Sequence, residues 1–177
     1  MGFQEAFKKI LVVEGEIYTN RAADRGGPTK FGITQKTLEA WRNRPCTPKD
    51  VEFMLIGEAE EIYESMFWNH NLLDHVKNET IADILFDQYV NRSPAGVTRQ
   101  IQRALIGQGF KVEADGIIGV QTINAINQAD PVKFGVAFVK ESQDFYVKIC
   151  QKDPSQLANL GGWINRTQAI LDDILNH

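Results

Sequence analysis

The chain has 177 residues, of which 43% are hydrophobic and 24% charged, ordinary proportions for a folded protein with one good core or two small ones. A formal net charge of −4 offers no bulk attraction to nucleic acid or to an anionic membrane. No stretch reaches the roughly 20 apolar residues of a membrane span, and the opening MGFQEAFKKILVVEGEIY is unlike a secretory leader because acids flank its short apolar run.

The expectation is therefore synthesis as a cytosolic protein without a signal peptide and without a membrane anchor. The Met-Gly start lacks the Ser or Thr of a myristoylation site, having Ala6 there. Cys46 and Cys150 are the only cysteines and form no CxxC pair, so free thiols are expected. His70 and His75 around Asp74 do not match zinc-ligand spacing. No metal and no cofactor are expected.

Phe3, Phe7, Ile10 and Leu11 repeat at helical spacing, which predicts an amphipathic helix over 3–14 with Gly15 as its stop. Residues 17–33, rich in Asn, Asp, Gly and Pro, predict an irregular hairpin with Phe31 and Ile33 packing inward. Thr34 caps a helix to about residue 43, and Thr47-Pro48-Lys49-Asp50 is a capping-box start. GEAEEIYESMFW continues helical with Ile62, Met66 and Phe67 on one face. Asn78-Glu79 opens a helix carrying Ile81, Ile84, Leu85 and Tyr89, and Ser93-Pro94 opens the next.

VEADGIIG is a turn or small hairpin around Asp115-Gly116, followed by a helix over 120–126. Asp130-Pro131 starts a long helix with Phe134, Phe138, Phe145 and Ile149 on one stripe. Asp153-Pro154 and Gly161-Gly162 bracket a short helix, and residues 163–175 form the last. The fold class is mainly α, a helical bundle with one small β hairpin near the N-terminus. A division near residues 91–94 gives lobes 1–92 and 93–177, packed as one unit.

The stretch EGEIYTNRAADRGGPTKFGIT holds the chemistry. Cleaving a glycosidic bond needs one protonated carboxyl for the leaving oxygen and one ionised carboxylate to handle water or the cationic centre. Glu14, beside Val12 and Val13 at a helix end, is placed where apolar walls favour the protonated form. Asp24, among Arg21, Arg25 and glycine amides, suits the ionised role, and Thr29 could hold a water against it. The plainer reading, a turn with a solvated Glu, stays open on spacing alone.

The order Glu-Gly, Tyr18, Asn20, Ala23-Asp24, Gly26-Gly27, Thr29 and Phe31-Gly32-Ile33-Thr34 resembles the signature of glycoside hydrolase family 108. IYESMFWNHNLLDHV and FDQYVNRSPAGVTRQIQRAL are similar to further segments of that family. ADGIIGVQTINAI and GGWINR resemble its C-terminal predicted peptidoglycan domain. The resemblance implies a lysozyme-like α+β fold and an N-acetylmuramidase, many members being phage endolysins. It implies cleavage between N-acetylmuramic acid and N-acetylglucosamine with Glu14 as the catalytic acid, and supports Asp24 and Thr29.

The family pattern is Glu-Gly-Gly-Tyr, whereas this chain has Glu14-Gly15-Glu16-Ile17-Tyr18, so Glu16 is a rival acid. The helix end and Gly15 fit Glu14 better. Tyr18, Asn20, Phe31, Gln88 and Asn91 are the expected sugar-binding residues, with Trp68 and Trp163 read chiefly as core. The expected partner is peptidoglycan glycan strands, with no nucleic acid and a monomeric chain. A lytic transglycosylase or a non-catalytic wall-binding or secretion-accessory protein are the alternatives.

Overall fold

The computed structural model describes residues 2–15, 17–20 and 27–176, the side chains of Val13 and Glu14 excepted. The chain forms two compact units, Met1–Asn71 and Leu72–His177. The break between Asn71 and Leu72 precedes the helix that carries Gln88 and Asn91, so that helix packs with the C-terminal helices. The architecture is mainly α, with a single two-stranded sheet among the described residues.

In the N-terminal unit, α1 (Phe3–Glu14) leads to the strands β1 (Thr29–Lys30) and β2 (Ile33–Thr34), which pair antiparallel with Thr29 opposite Thr34. Three short helices follow, α2 (Gln35–Arg42), α3 (Pro48–Glu52) and α4 (Ile56–Ile62). The chain then continues as a π-helical segment, Tyr63–Asn69, instead of the uniform α-helix expected from the sequence. The cause is packing. Tyr63 and Trp68, five residues apart, are both buried, and the i→i+5 bond from His70 N–H to the Ser65 carbonyl is the register that stacks them on one side. An α-helix would turn Trp68 away from Tyr63.

The apolar stripe of α1 meets this segment. Phe7 lies 5.6 Å from the Tyr63 ring and Phe3 meets Trp68 edge-on at 5.8 Å. The Tyr63 hydroxyl donates to the Phe31 carbonyl at 2.8 Å, tying the hairpin to the same core. Trp68 is thus a core residue. Arg42 forks onto Glu58 with two 2.7 Å bonds and reaches Asp50 at 2.9 Å, linking α2, α3 and α4.

The expected capping box is present. Asp50 accepts from the Thr47 hydroxyl and backbone N–H at 2.7 and 2.8 Å and from Arg44 at 2.9 Å. These bonds, led by those from Thr47, hold its carboxyl well below its ordinary 3.8. A carboxyl depressed on folding adds stability above its unfolded value and loses it as the pH falls further. Asp50→Asn is therefore expected to flatten the acid limb of the unfolding curve below about pH 4. Urea melts at stepped pH check it, and an unchanged acid limb counts against it.

The C-terminal unit starts with a 3₁₀ turn, Leu73–His75, then α5 (Glu79–Asn91), α6 (Pro94–Ile106), α7 (Val120–Gln128), α8 (Pro131–Lys152) and α9 (Leu157–Asn176). Asn78 caps α5 by accepting from Ile81 N–H at 2.9 Å, and Asp130 caps α8 through Lys133 N–H. The buried stripe of α8 is Phe134, Phe138, Ser142, Tyr146 and Cys150, every fourth residue, facing α6 and α9. Phe145, expected on that stripe, is 40% exposed. Ile149 is half-buried. Cys46 and Cys150 are free thiols in different units.

Gly161-Gly162 does not end a helix as expected; α9 runs straight through both. The reason is that α9 packs on α8, with Thr167, Ile170 and Ile174 buried, which outweighs the low helix propensity of two glycines. The DGIIG stretch is a turn clamped onto α6. The side-chain amide of Gln102 donates to Asp115 Oδ1 at 2.7 Å and its carbonyl accepts from Gly116 N–H at 2.9 Å. Gly116 has φ +82, and a Cβ there would stand 2.9 Å from the Ala95 carbonyl, so only glycine fits.

Candidate active site

Glu14 is the last residue of α1. Gly15, at φ +75, ends the helix there and donates its N–H to the Leu11 carbonyl at 2.9 Å. Thr19 and Thr29 exchange both backbone bonds, Thr19 N–H to Thr29 O at 2.8 Å and Thr29 N–H to Thr19 O at 2.9 Å. Thr29 is therefore paired on one side with Thr19 and on the other with Thr34. A further bond from Gln35 N–H to the Pro28 carbonyl, 2.9 Å, anchors the strand to the start of α2.

The end of α1 and the Thr29 strand both belong to the N-terminal unit. Thr29 is half-buried, and its hydroxyl donates to the Gly27 carbonyl at 3.0 Å. With its hydrogen spent, the oxygen retains lone pairs that can accept from water.

Asp24 and the rival Glu16 lie outside the described residues. Val12 does not supply the expected apolar wall beside Glu14, being 86% exposed, because the buried face of α1 is Phe3, Ala6, Phe7 and Ile10. The carbonyl end of α1, where position 14 stands, carries the partial negative charge of a helix C-terminus.

Among the expected sugar-binding residues, Tyr18 is half-buried and Asn20 exposed, flanking the Thr19 bridge. Phe31 is not a groove wall. It sits in a positive-φ turn (φ 54) with its side chain buried and the Lys30 ammonium 5.1 Å from its ring centre. Burial against the core is what the hairpin needs of it.

Gln88 and Asn91 belong to α5 in the C-terminal unit. Gln88 is fully buried, its carbonyl oxygen accepting from Arg92 at 2.8 Å and its amide donating to Asp87 at 2.9 Å. It holds Arg92 in place and presents nothing to a ligand. Asn91 donates to the Asp87 carbonyl and carboxylate at 2.9 and 3.2 Å and borders a cavity of that unit. Trp163, half-buried, stacks on Tyr146 at 4.9 Å and borders the same cavity. Sequence reasoning missed Arg92 and Arg166, which line it too. The available signal was the three-residue step from Trp163 to Arg166 within the last predicted helix.

The fold is that of a solved protein, "Structure of Brucella abortus SagA", matched with a TM-score of 0.80 over 98% of this chain and 94% of that one at 23% identity. None of the curated proteins matches the chain. Residues 7–92 match the family Glycosyl hydrolase 108, and residues 97–168 match the Predicted Peptidoglycan domain. Residues 7–92 are thus a glycosyl hydrolase 108 domain and residues 97–168 a predicted peptidoglycan domain, which together support a peptidoglycan hydrolase at the family level.

Proposed function

We propose that the protein is an N-acetylmuramidase that hydrolyses the β-1,4 bond between N-acetylmuramic acid and N-acetylglucosamine. The observation that carries this reading is the position of Glu14 at the carbonyl end of α1, in the same unit as the Thr29 strand. In that reading Glu14 is protonated in the resting state and gives its proton to the departing glycosidic oxygen. Asp24 remains ionised and draws a proton from the attacking water or stabilises the cationic ring. Thr29, whose hydroxyl hydrogen is engaged by Gly27, accepts from that water and fixes its direction.

The wall is the site of action, reached from the bacterial cytoplasm after release. The test is product analysis of digested sacculi by mass spectrometry. Hydrolysis leaves reducing muramic acid ends that carry the added water. Anhydro ends would replace this reading with lytic transglycosylation, and binding without released fragments would replace it with a non-catalytic wall protein.

A further inference from the structure

A cavity of about 480 Å³ opens in the C-terminal unit where α5, α6, α8 and α9 meet. Its walls include Arg92, Arg166, Asn91, Phe145, Tyr146 and Trp163. The chemistry is unusual for a structural gap. Arg92 is held entirely by neutral acceptors: Gln88 at 2.8 Å, Ser142 at 3.2 Å and Gln100 at 2.6 Å. Its guanidinium also lies 5.3 Å from the Phe145 ring centre and 5.1 Å from that of Tyr146.

Among the described residues no carboxylate forms an ion pair with Arg92 or Arg166, and Arg166 donates no hydrogen bond. Asp87 feels both cations, but burial pushes its carboxyl up, and its two oxygens are taken by Gln88 and Asn91. Burial pushes Arg92 down, and the neighbouring Arg166 acts in the same direction. Two guanidinium groups thus line one cavity, and among the described residues neither is ion-paired there.

Gly162 adds an independent sign. It lies in the interior of α9 on the face shared with Trp163 and Arg166, and it lines the cavity. A Cβ at Gly162 would meet nothing within 4 Å. Packing within the protein does not require a glycine there, although glycine weakens a helix relative to alanine. The same holds for Gly161, which does not border the cavity.

We propose that this cavity binds a free carboxylate of the peptidoglycan peptide stem, with Arg166 and Arg92 as the anion receptors and the aromatic side chains as apolar walls. The choice of ligand rests on peptidoglycan being the partner. In that polymer the amidated glycan is neutral and the stem peptides carry the free carboxylates. Arg166 has its donors available for a paired contact, and Arg92 supplies the second charge from a preset orientation. Asn91, its amide hydrogens spent on Asp87, keeps a carbonyl oxygen to accept from a stem amide. Gly162 leaves room for the stem backbone.

The test is calorimetric titration of the full chain with a synthetic stem tripeptide (alanyl-γ-D-glutamyl-diamino acid). Arg166→Gln is expected to weaken binding by about tenfold or more, with Arg166→Lys in between and thermal melting preserved in both. Gly162→Ala is expected to weaken binding while raising the melting temperature by about 2 °C, and Gly161→Ala to raise melting without touching binding. Equal binding of the carboxamide form of the peptide, or wild-type affinity in Arg166→Gln, overturns the proposal. So does inorganic phosphate binding that needs Arg166 while the peptide is ignored. Cleavage of peptide-free glycan without stem binding defeats this inference alone; stem binding without cleavage defeats the hydrolase reading alone.

Discussion

Glu14→Gln is expected to lower wall hydrolysis by about 10²–10⁴-fold, the range a general acid contributes. The amide has nearly the shape of the protonated carboxyl and can still donate a hydrogen bond, but it cannot release a proton to the leaving oxygen. Position 14 ends α1 just before Gly15, so no helix-interior bond is disturbed by the change. The carbonyl end of a helix also tolerates a neutral amide at least as well as a carboxylate. The melting temperature should accordingly stay the same or rise slightly. The measurement is turbidity clearing of purified sacculi beside a thermal melt of each variant. Undiminished clearing in Glu14→Gln would remove Glu14 from the acid role, and the parallel Glu16→Gln variant would show whether the rival takes it.

A second large effect is expected in the C-terminal unit. Gly135 is buried on α8 where it meets α9, and a Cβ there would come within 2.2 Å of Ile174 Cδ1 and about 3 Å of Cγ1 and Cγ2. The room at this crossing is limited by a neighbouring side chain, not by the backbone. Gly135→Ala should destabilise the C-terminal unit by about 1–3 kcal/mol, the usual cost of overpacking. For a chain of this length that is a loss of roughly 2–4 °C per kcal/mol in melting temperature. Ile174→Val deletes the Cδ1 atom that collides first, so Gly135→Ala should cost distinctly less in that background. Differential scanning calorimetry of the two single variants and the double variant gives the coupling. Additive losses would mean that the helices shift apart instead.

Both predictions bear on what could be read before the fold was seen. Helix starts were legible because each depends on a few adjacent residues: Thr34, Asn78 and Asp130 each accept the capping bond their position implies, and Thr47 with Asp50 closes a full box. The hairpin was legible for the same reason. Local rules failed where a partner overrode them. The π-helical turn at Tyr63–Asn69 exists because Trp68 must share a core with Tyr63, and α9 continues through two glycines because α8 lies along it.

The candidate site divides along the same line. The amino-acid sequence alone pointed to the family, to the helix stop at Gly15 and to the hairpin at Thr29, since each depends on a few adjacent residues. Only the tertiary structure decided that Phe31 and Gln88 face inward, that Val12 faces water, and that Arg92 and Arg166 share a cavity. Spacing along a chain fixes which residues share a helix face. Which face is covered, and which charges are left without a counter-charge, depends on side chains from helices far apart in sequence arriving at the same place.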